Sequence, residues 1–247
     1  MSDGFRRGFA SVVFDCDSTL ARIEGIDELA GSHADEIRRL TEAAMEGTVA
    51  LEEVYGRRLE IIRPTRARVE ALGREYVDGL VPDARETVAA LRWLGKTVRV
   101  LSGGLRPPVE AVAAALGIGP EEVGAVGIDF AEDGSYAGFE RSSPLARSGG
   151  KAVVLGDWRL PRPALLVGDG ATDLEARPAV DALAAYMGVA FRPAVAAGAD
   201  VVVASQSLAP ILALAADEAD RARLLASEWA DLLRRGDELL AAAPPTE

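Results

Sequence analysis

Cysteine and histidine are almost absent from the 247-residue sequence, which holds one of each, Cys16 and His33. A single cysteine cannot form a disulfide within the chain, and this is typical of proteins from reducing compartments. A single histidine excludes a metal site built from several imidazoles. The sequence also lacks an apolar run of the ~20 residues that a membrane-spanning helix needs, and its N-terminus shows no cleavable signal. We therefore expect a cytoplasmic protein with no membrane partner.

Positive charge is scarce as well. Only two of the 27 basic residues are lysines, Lys96 and Lys151, and the formal net charge is −12 with a pI near 4.7. An acidic surface argues against nucleic acid as a partner, because binding to phosphate backbones depends on basic side chains. A site for a small phosphate compound would have to be locally positive. The two retained lysines are therefore candidates for specific roles.

Three short apolar segments predict buried strands of a parallel sheet. Residues 9–14, 98–101 and 164–167 are rich in β-branched and other apolar side chains, and helical segments separate them. Strands that alternate with helices predict an α/β fold with right-handed crossovers. Further strands are predicted within 123–128, 183–187 and 200–203. The fold class is therefore α/β, with a Rossmann-like parallel sheet as its core.

A long helical stretch separates the first two strands. Residues 25–90 have helical character with little strand-like alternation, and roughly 60 residues is too long for one ordinary crossover. We therefore expect an inserted α-helical cap at 21–90 and a discontinuous catalytic core at 1–20 and 91–215. The alternative is a set of helices packed on the same sheet. Residues 216–247 are predicted as a C-terminal helix and tail that docks on the core or forms a dimer contact, so monomer and homodimer both stay open.

Each of the three strands leads into a small polar turn that contains serine or glycine, at residues 15–19, 102–104 and 168–173. The carboxyl ends of parallel strands meet at one edge of a sheet, so these turns are predicted to converge. Four carboxylates repel one another unless a cation lies between them, and Mg²⁺ prefers such oxygen ligands. The sequence therefore predicts a Mg²⁺ site among Asp15, Asp17, Asp169 and Asp173.

A phosphate monoester fits the same edge of the sheet. Lys151 opens a predicted helix, and together with Ser102 and the backbone amide of Gly103 it could bind phosphate oxygens. A carboxylate can attack phosphorus to form an aspartyl-phosphate, and a second carboxyl group nearby can protonate the leaving oxygen. Asp15 and Asp17 have a suitable spacing, but the sequence alone does not assign the two roles.

Four motifs thus follow one another in a fixed order: an Asp-x-Asp-x-Thr loop, a serine at a strand end, a distal lysine and a Gly-Asp-x-x-x-Asp loop. They are carried by Asp15, Asp17, Thr19, Ser102, Lys151, Gly168, Asp169 and Asp173. This pattern resembles the haloacid dehalogenase superfamily of phosphatases. The resemblance implies the fold of that superfamily, a Rossmann-like core with a cap. It also implies a Mg²⁺-dependent phosphomonoester hydrolase that works through an aspartyl-phosphate.

The resemblance assigns roles to individual residues. Asp15 would be the nucleophile and Asp17 the general acid and base. The Mg²⁺ ligands would be the Asp15 carboxylate, the Asp17 backbone carbonyl and Asp169, with Asp173 acting indirectly. The phosphate group would be held by Ser102, Gly103 and Lys151, and Lys151 would also serve catalysis.

Within the superfamily, the sequence resembles the phosphoserine phosphatase family. Glu24 matches the glutamate near the substrate amino group, and Arg58 matches the arginine that binds the substrate carboxylate, with Arg57 as the alternative register. A zwitterionic amino acid needs one partner of each charge, and arginine can bind a carboxylate through two hydrogen bonds. Two further substrate-side positions are matched by Met45 and Thr172. The resemblance therefore implies hydrolysis of O-phospho-L-serine, in the last step of serine formation.

Three other functions stay open at this point. Hydrolysis of another small phosphoester, such as a phosphorylated amino alcohol, would leave Arg58 without a substrate carboxylate. Phosphotransfer to an acceptor alcohol would use the same nucleophile. A non-catalytic sensor of phosphometabolites is disfavoured, because it would not need a nucleophile at Asp15. Residues 188–193 depart from the family pattern, and the chain beyond Leu208 is not covered by it.

Overall fold

The computed structural model describes residues 7–45 and 51–242, and for 41–45 and 51 it describes the backbone alone. The strands are β1 (Ser11–Phe14), β2 (Thr97–Leu105), β3 (Val123–Val126), β4 (Ile128–Phe130), β5 (Tyr136–Phe139), β6 (Ala164–Gly168), β7 (Ala182–Tyr186) and β8 (Val201–Val203). Six of them form a parallel sheet in the order β3-β2-β1-β6-β7-β8, and β4 pairs with β5 in an antiparallel hairpin. The predicted parallel sheet is confirmed.

Helices lie between the strands along the chain. They are α1 (Gly25–Leu29), α2 (Ala34–Met45), α3 (Leu51–Ile62), α4 (Arg66–Asp78), α5 (Ala84–Trp93), α6 (Arg106–Ala115), α7 (Gly150–Trp158), α8 (Ala171–Ala176), α9 (Pro193–Gly198), α10 (Ala209–Ala215), α11 (Glu218–Leu225) and α12 (Ala230–Ala241). None of the helices in the described part of the chain combines the length and the apolar character required to cross a membrane.

The central strands are buried because helices cover the sheet. Every residue of β1, β6 and β7 is buried, which explains why these segments read as continuous apolar runs without alternation. Burial of apolar side chains contributes about 25 cal/mol per Å², so these buried strands help to stabilise the fold. The sheet forms the rigid base from which the polar turns project.

The second strand is longer than predicted. β2 continues through Ser102, Gly103 and Gly104 to Leu105, whereas we expected it to end at Leu101. Its pairing with β3 shifts register between Leu101 and Leu105, so the Ser-Gly-Gly segment is an irregular part of the strand. Such irregularities re-aim side chains beside functional sites. The prediction of a turn directly after residue 101 is therefore wrong, although the segment still lies at the carboxyl edge of the sheet.

The chain between β1 and β2 is helical, as predicted. α4 packs against α6, α1 packs against α4, and α3 approaches the β4–β5 hairpin, where the rings of Tyr55 and Phe139 are 5.4 Å apart. α5 packs against β2 and α10, next to the sheet. These contacts bring the helical region over the carboxyl edge of the sheet. The division into a cap at 21–90 and a core stays a prediction.

The C-terminal helices dock on the core. α12 packs against α10 and α11, and Leu224, Leu232 and Leu233 belong to the main hydrophobic cluster. Within residues 216–242 there are two helices, α11 and α12, instead of the one helix that we predicted. The apolar stripe seen in the sequence is therefore used, at least in part, for packing inside the chain.

Candidate active site

The first strand delivers Asp15 to the edge of the sheet. β1 lies between β2 and β6, and the ladder continues one residue further, because the Asp15 amide donates to the Val167 carbonyl at 2.8 Å. The chain then turns sharply, and the amides of Leu20 and Ala21 both donate to the Cys16 carbonyl. The Cys16 amide donates to Asp15 Oδ1 at 2.7 Å. This contact orients the Asp15 carboxylate.

Lys151 lies in the first turn of α7 and is buried. Its Nζ is 2.9 Å from Asp15 Oδ2 and 2.7 Å from Asp173 Oδ1. Burial opposes the ammonium charge, but the two carboxylates outweigh it, so the pKa of Lys151 is raised. Lys151 is therefore a fixed cation beside Asp15. The second lysine, Lys96, lies away from these carboxylates and pairs with Asp220 at 2.6 Å.

Asp173 is fully buried and orients Lys151. Its Oδ2 accepts a hydrogen bond from the Gly170 amide at 3.1 Å, while Oδ1 accepts from Lys151. A Cβ atom at Gly168 would overlap the Asp173 carboxylate, so glycine is required there. Burial raises the pKa of Asp173, and the Lys151 charge opposes this.

Asp169 follows β6 directly and faces the same space. Its Oδ2 accepts from Arg192 Nε at 2.8 Å, and its Oδ1 accepts from Thr19 Oγ1 at 3.4 Å. Burial, followed by the neighbouring charge of Asp15, raises the pKa of Asp169. The charges of Arg192 and Lys151 oppose this rise without cancelling it.

Carboxylate oxygens of Asp15, Asp169 and Asp173 lie within 4.8 Å of one another. Hard divalent cations prefer such oxygen ligands. The raised pKa values of Asp169 and Asp173 indicate that the cluster would be stabilised by added positive charge. These residues fit a divalent metal, which Asp15 and Asp169 would bind, while Asp173 contacts Lys151 at 2.7 Å.

Asp17 is held by two neutral donors. Its Oδ1 accepts from the Tyr76 hydroxyl at 2.7 Å, and its Oδ2 accepts from the Gly25 amide at 3.1 Å. Burial, then the charges of Glu24 and Asp15, raise the pKa of Asp17 to about 7. A carboxyl group with this pKa can both give and take a proton near neutral pH.

Glu24 and Arg192 connect two sides of the site. Arg192 donates to Asp169 through Nε and to Glu24 Oε1 through its terminal nitrogen at 3.1 Å. The Ser18 hydroxyl donates to the same Glu24 oxygen at 2.7 Å. Burial is the main cause of the raised pKa of Glu24.

The sequence interpretation missed Arg192, Tyr76 and Ser18. Arg192 lies in the segment that departs from the family pattern, just after β7, whose carboxyl end neighbours that of β6. The rule that strand ends converge places this segment at the same edge of the sheet, but it does not give the partners of Arg192.

The predicted phosphate-binding segment lies beside Asp17. Ser102 is buried, and its Oγ accepts from the Gly104 amide at 2.9 Å. A Cβ atom placed on Gly104 would be 3.1 Å from Ser102 Oγ and 3.2 Å from Asp17 Oδ1. The Ser102 hydroxyl and the Asp17 carboxylate therefore both lie next to Gly104. Gly103 lies between Ser102 and Gly104 in the strand and packs near the Leu145 carbonyl. The irregular strand thus brings Ser102 and Gly103 to the same edge as the carboxylates.

Arg58 lies in α3 with its side chain 14% exposed, 4.0 Å from Asp27. Burial lowers its pKa, and the charges of Asp27, Glu24 and Asp17 oppose this, which places Arg58 near the site. Its neighbour Arg57 is exposed, so the side chains favour the register with Arg58. Thr172 is half-buried in the first turn of α8. The side chain of Met45 lies outside the described residues.

Comparison with known proteins identifies the class. Residues 12–177 match the sequence model of the haloacid dehalogenase-like hydrolase family. The phosphoserine phosphatase of Rattus norvegicus is 40% identical over 187 residues, which cover 74% of this chain and 83% of the relative. The chloroplastic phosphoserine phosphatase of Arabidopsis thaliana is 39% identical over 208 residues, covering 80% and 69%. The chain belongs to the haloacid dehalogenase-like hydrolase family.

Solved structures narrow the comparison. A phosphoserine phosphatase captured as an analogue of its phospho-aspartyl intermediate superimposes with a TM-score of 0.69 at 26% identity, covering 82% of this chain and 97% of that chain. A substrate-bound phosphoserine phosphatase gives 0.70 at 25% identity, covering 82% and 96%. The predicted fold is confirmed. The chain is a phosphomonoester hydrolase of the phosphoserine phosphatase type.

Proposed function

We propose that this enzyme hydrolyses O-phospho-L-serine to L-serine and phosphate, with Mg²⁺ as its metal. The observation that carries the proposal is the position of Asp15, which contacts Lys151 at 2.9 Å and lies within 4.8 Å of Asp169 and Asp173. Similarity to phosphoserine phosphatases over most of the chain supports the substrate. The small phosphoester would be the partner, and the cytoplasmic location and oligomeric state stay predictions.

Asp15 would attack phosphorus as the nucleophile and form an aspartyl-phosphate. Asp15, Asp169 and the Asp17 backbone carbonyl would hold Mg²⁺, which supplies positive charge to the transferring phosphoryl group. Lys151, together with Ser102 and the Gly103 amide, would bind the phosphoryl oxygens. Asp173 would keep the Lys151 ammonium aimed at the nucleophile.

Asp17 would act as the general acid and then as the base. With a pKa of about 7 it carries a proton for part of the time at neutral pH. That proton would pass to the serine oxygen as the bond to phosphorus breaks. The resulting carboxylate would then take a proton from the water that hydrolyses the aspartyl-phosphate.

Glu24 and Arg58 would recognise the two charged groups of serine. Glu24 would accept a hydrogen bond from the ammonium group, and Arg192 and Ser18 hold its Oε1 in place. Arg58 is largely buried, so an ion pair with the substrate carboxylate would be little screened by water. Thr172 and Met45 would complete the substrate pocket.

Measurement of phosphate release in the presence of Mg²⁺ tests the proposal. L-phosphoserine should be preferred over D-phosphoserine, phosphothreonine, phosphoethanolamine and sugar phosphates in kcat/KM. Asp15→Asn should abolish turnover while the circular dichroism spectrum stays unchanged. Normal turnover by Asp15→Asn would refute the assignment of Asp15 as the nucleophile. A preference for phosphoethanolamine would refute phosphoserine as the substrate.

Neighbouring arginines provide a matched test of carboxylate recognition. Arg58→Ala should raise the KM for phosphoserine at least ~10-fold, because a hydrogen-bonded ion pair is lost. The KM for phosphoethanolamine, which has no carboxylate, should change much less. Arg57→Ala is the control, since Arg57 is exposed on the same helix, and it should leave both KM values unchanged. Equal effects of Arg58→Ala on the two substrates would remove its proposed role.

A further inference from the structure

Two donors from the helical region that follows β1 hold the carboxylate of Asp17. Tyr76, in α4, donates its hydroxyl proton to Oδ1 at 2.7 Å, and the amide of Gly25, at the start of α1, donates to Oδ2 at 3.1 Å. The two donors lie 51 residues apart in sequence but converge on one side chain. Each oxygen of Asp17 therefore has a fixed direction.

The Tyr76 side chain is tightly packed where it contacts Asp17. The side chain is fully buried, and a Cβ atom at Gly25 would overlap its hydroxyl oxygen. α4 is anchored against α6, where a Cβ on Gly73 would lie 3.2 Å from Ala111 Cβ. Interiors packed this closely leave a side chain few alternative rotamers. The phenol is thus presented to Asp17 by a rigid surround.

Asp17 needs such a restraint because its neighbours repel it. Asp15 lies two residues earlier in the same loop, and Glu24 approaches that loop closely enough to accept from the Ser18 hydroxyl at 2.7 Å. A carboxylate among carboxylates would turn away from them if no donor held it. With Tyr76 in contact, Oδ1 instead stays beside Gly104 and Ser102, where the phosphate group is expected.

We propose that Tyr76 is a positioning residue that fixes Asp17 toward the leaving-group oxygen. This inference rests on the proposed role of Asp17 as general acid and base. As Asp15 Oδ bonds to phosphorus and the phosphorus–oxygen bond of the substrate breaks, the Asp17 proton passes to the departing oxygen. The carboxylate that forms keeps the Tyr76 hydrogen bond, which is stronger to an ionised acceptor. In the hydrolytic half-reaction, Asp17 takes the proton back from water in the same orientation.

The leaving group separates this role from simple core packing. An alkoxide such as that of serine needs a proton as it departs, whereas p-nitrophenolate and acetate leave with little assistance. A misplaced Asp17 should therefore slow the hydrolysis of substrates with an alkoxide leaving group. It should have little effect on substrates that release p-nitrophenolate or acetate. Loss of stability alone would affect all substrates equally.

Tyr76→Phe removes a single oxygen atom and is the variant to test. Its kcat/KM for L-phosphoserine should fall ~10-fold or more, as part of the ~10²–10⁴-fold effect of general acid catalysis. Its kcat/KM for p-nitrophenyl phosphate, or for acetyl phosphate if the pocket excludes the ring, should change less than ~2-fold. Tyr186→Phe is the matched control. It also removes a buried hydroxyl, which donates to the Gln206 carbonyl at 2.6 Å, and it should leave the ratio of the two rates unchanged.

Gly25→Ala provides an independent variant, because the new methyl group would displace the Tyr76 hydroxyl. It should change the leaving-group ratio in the same direction, and the double variant should show less than the product of the two effects. An equal fall on both substrates in Tyr76→Phe, or no fall on either, would overturn the proposal. Asp17→Asn distinguishes failure of the Tyr76 inference from failure of the proposed function. If it changes the ratio and Tyr76→Phe does not, the inference fails alone; if neither Asp17→Asn nor Asp15→Asn impairs turnover, the proposed function fails.

Discussion

Arg192→Ala tests how charge is balanced in the site. The guanidinium donates to Asp169 at 2.8 Å and to Glu24 at 3.1 Å. The Asp169 side chain is 4% exposed and the Glu24 side chain 44% exposed, so the second contact is screened and contributes little. A hydrogen bond to a buried charge contributes about 1.5–3 kcal/mol. The metal-free variant should therefore lose about 2 kcal/mol of unfolding free energy, which lowers its melting temperature by about 4–8 °C.

Mg²⁺ should restore much of this loss, because the metal and the guanidinium compensate the same carboxylate. Wild-type protein has to share Asp169 between the two cations, whereas the variant offers it to Mg²⁺ alone. Binding that is ~10-fold tighter adds about 1.4 kcal/mol of stabilisation at saturating metal. The difference in melting temperature between the two proteins should then shrink to about 1–3 °C.

Thermal unfolding in EDTA and in increasing Mg²⁺, followed by calorimetry, measures both effects. The control is Arg177→Ala. Arg177 is as exposed as Arg192 and donates to Asp200 at 2.9 Å, away from the proposed metal ligands. Its loss should lower the melting temperature by an amount that Mg²⁺ does not change. A constant difference between wild type and Arg192→Ala across all Mg²⁺ concentrations, or equal recovery by the control, would refute the reasoning.

Two further predictions concern the pKa of Asp17 and the packing of Gly168 against Asp173. Because burial raises the pKa of Asp17 to about 7 and its protonated form serves as the acid, kcat/KM for phosphoserine should fall as the pH rises through about 7. Initial rates from pH 5 to 9 measure this limb, and its persistence in Asp17→Asn would contradict the assignment. Gly168→Ala should lower stability by about 1–3 kcal/mol, since its methyl group overlaps Asp173. Gly156→Ala, in α7 with open space around the new atom, should be neutral or stabilising in the same denaturant titration.

The part of the site that could be predicted from the sequence is the part that follows strands directly. Asp15 comes one residue after β1 and Asp169 one residue after β6, so the apolar runs place both at the same edge. Lys151 could be placed because its glycine-rich approach opens a helix. The extent of β2 could not be predicted, because the irregular pairing of Ser102–Leu105 depends on β3.

Tyr76 and Arg192 could not be predicted for a different reason. Each is a single polar residue in a segment with no recognisable motif, and its role depends on how two distant elements pack. Tyr76 resembles any half-apolar residue of an amphipathic helix until α4 is placed on α6. Arg192 needs the neighbouring positions of β6 and β7 and the approach of Glu24 from the helical region. Local sequence carries the chemistry of such residues but not their partners.

The distribution of these partners bears on which carboxyl group moves protons. Lys151 pairs with Asp15 and Asp173, and Arg192 pairs with Asp169 and Glu24, so each cation offsets the negative charge of its neighbours. Asp17 instead accepts from a phenol and a backbone amide, which stabilise its carboxylate less than a full charge would. Burial, and then the charges of Glu24 and Asp15, raise the pKa of Asp17 to about 7, so it can hold a proton near neutral pH. Lys151 therefore lies beside the proposed nucleophile Asp15, whereas Asp17, with its neutral hydrogen-bond donors, is suited to exchange a proton with the leaving oxygen.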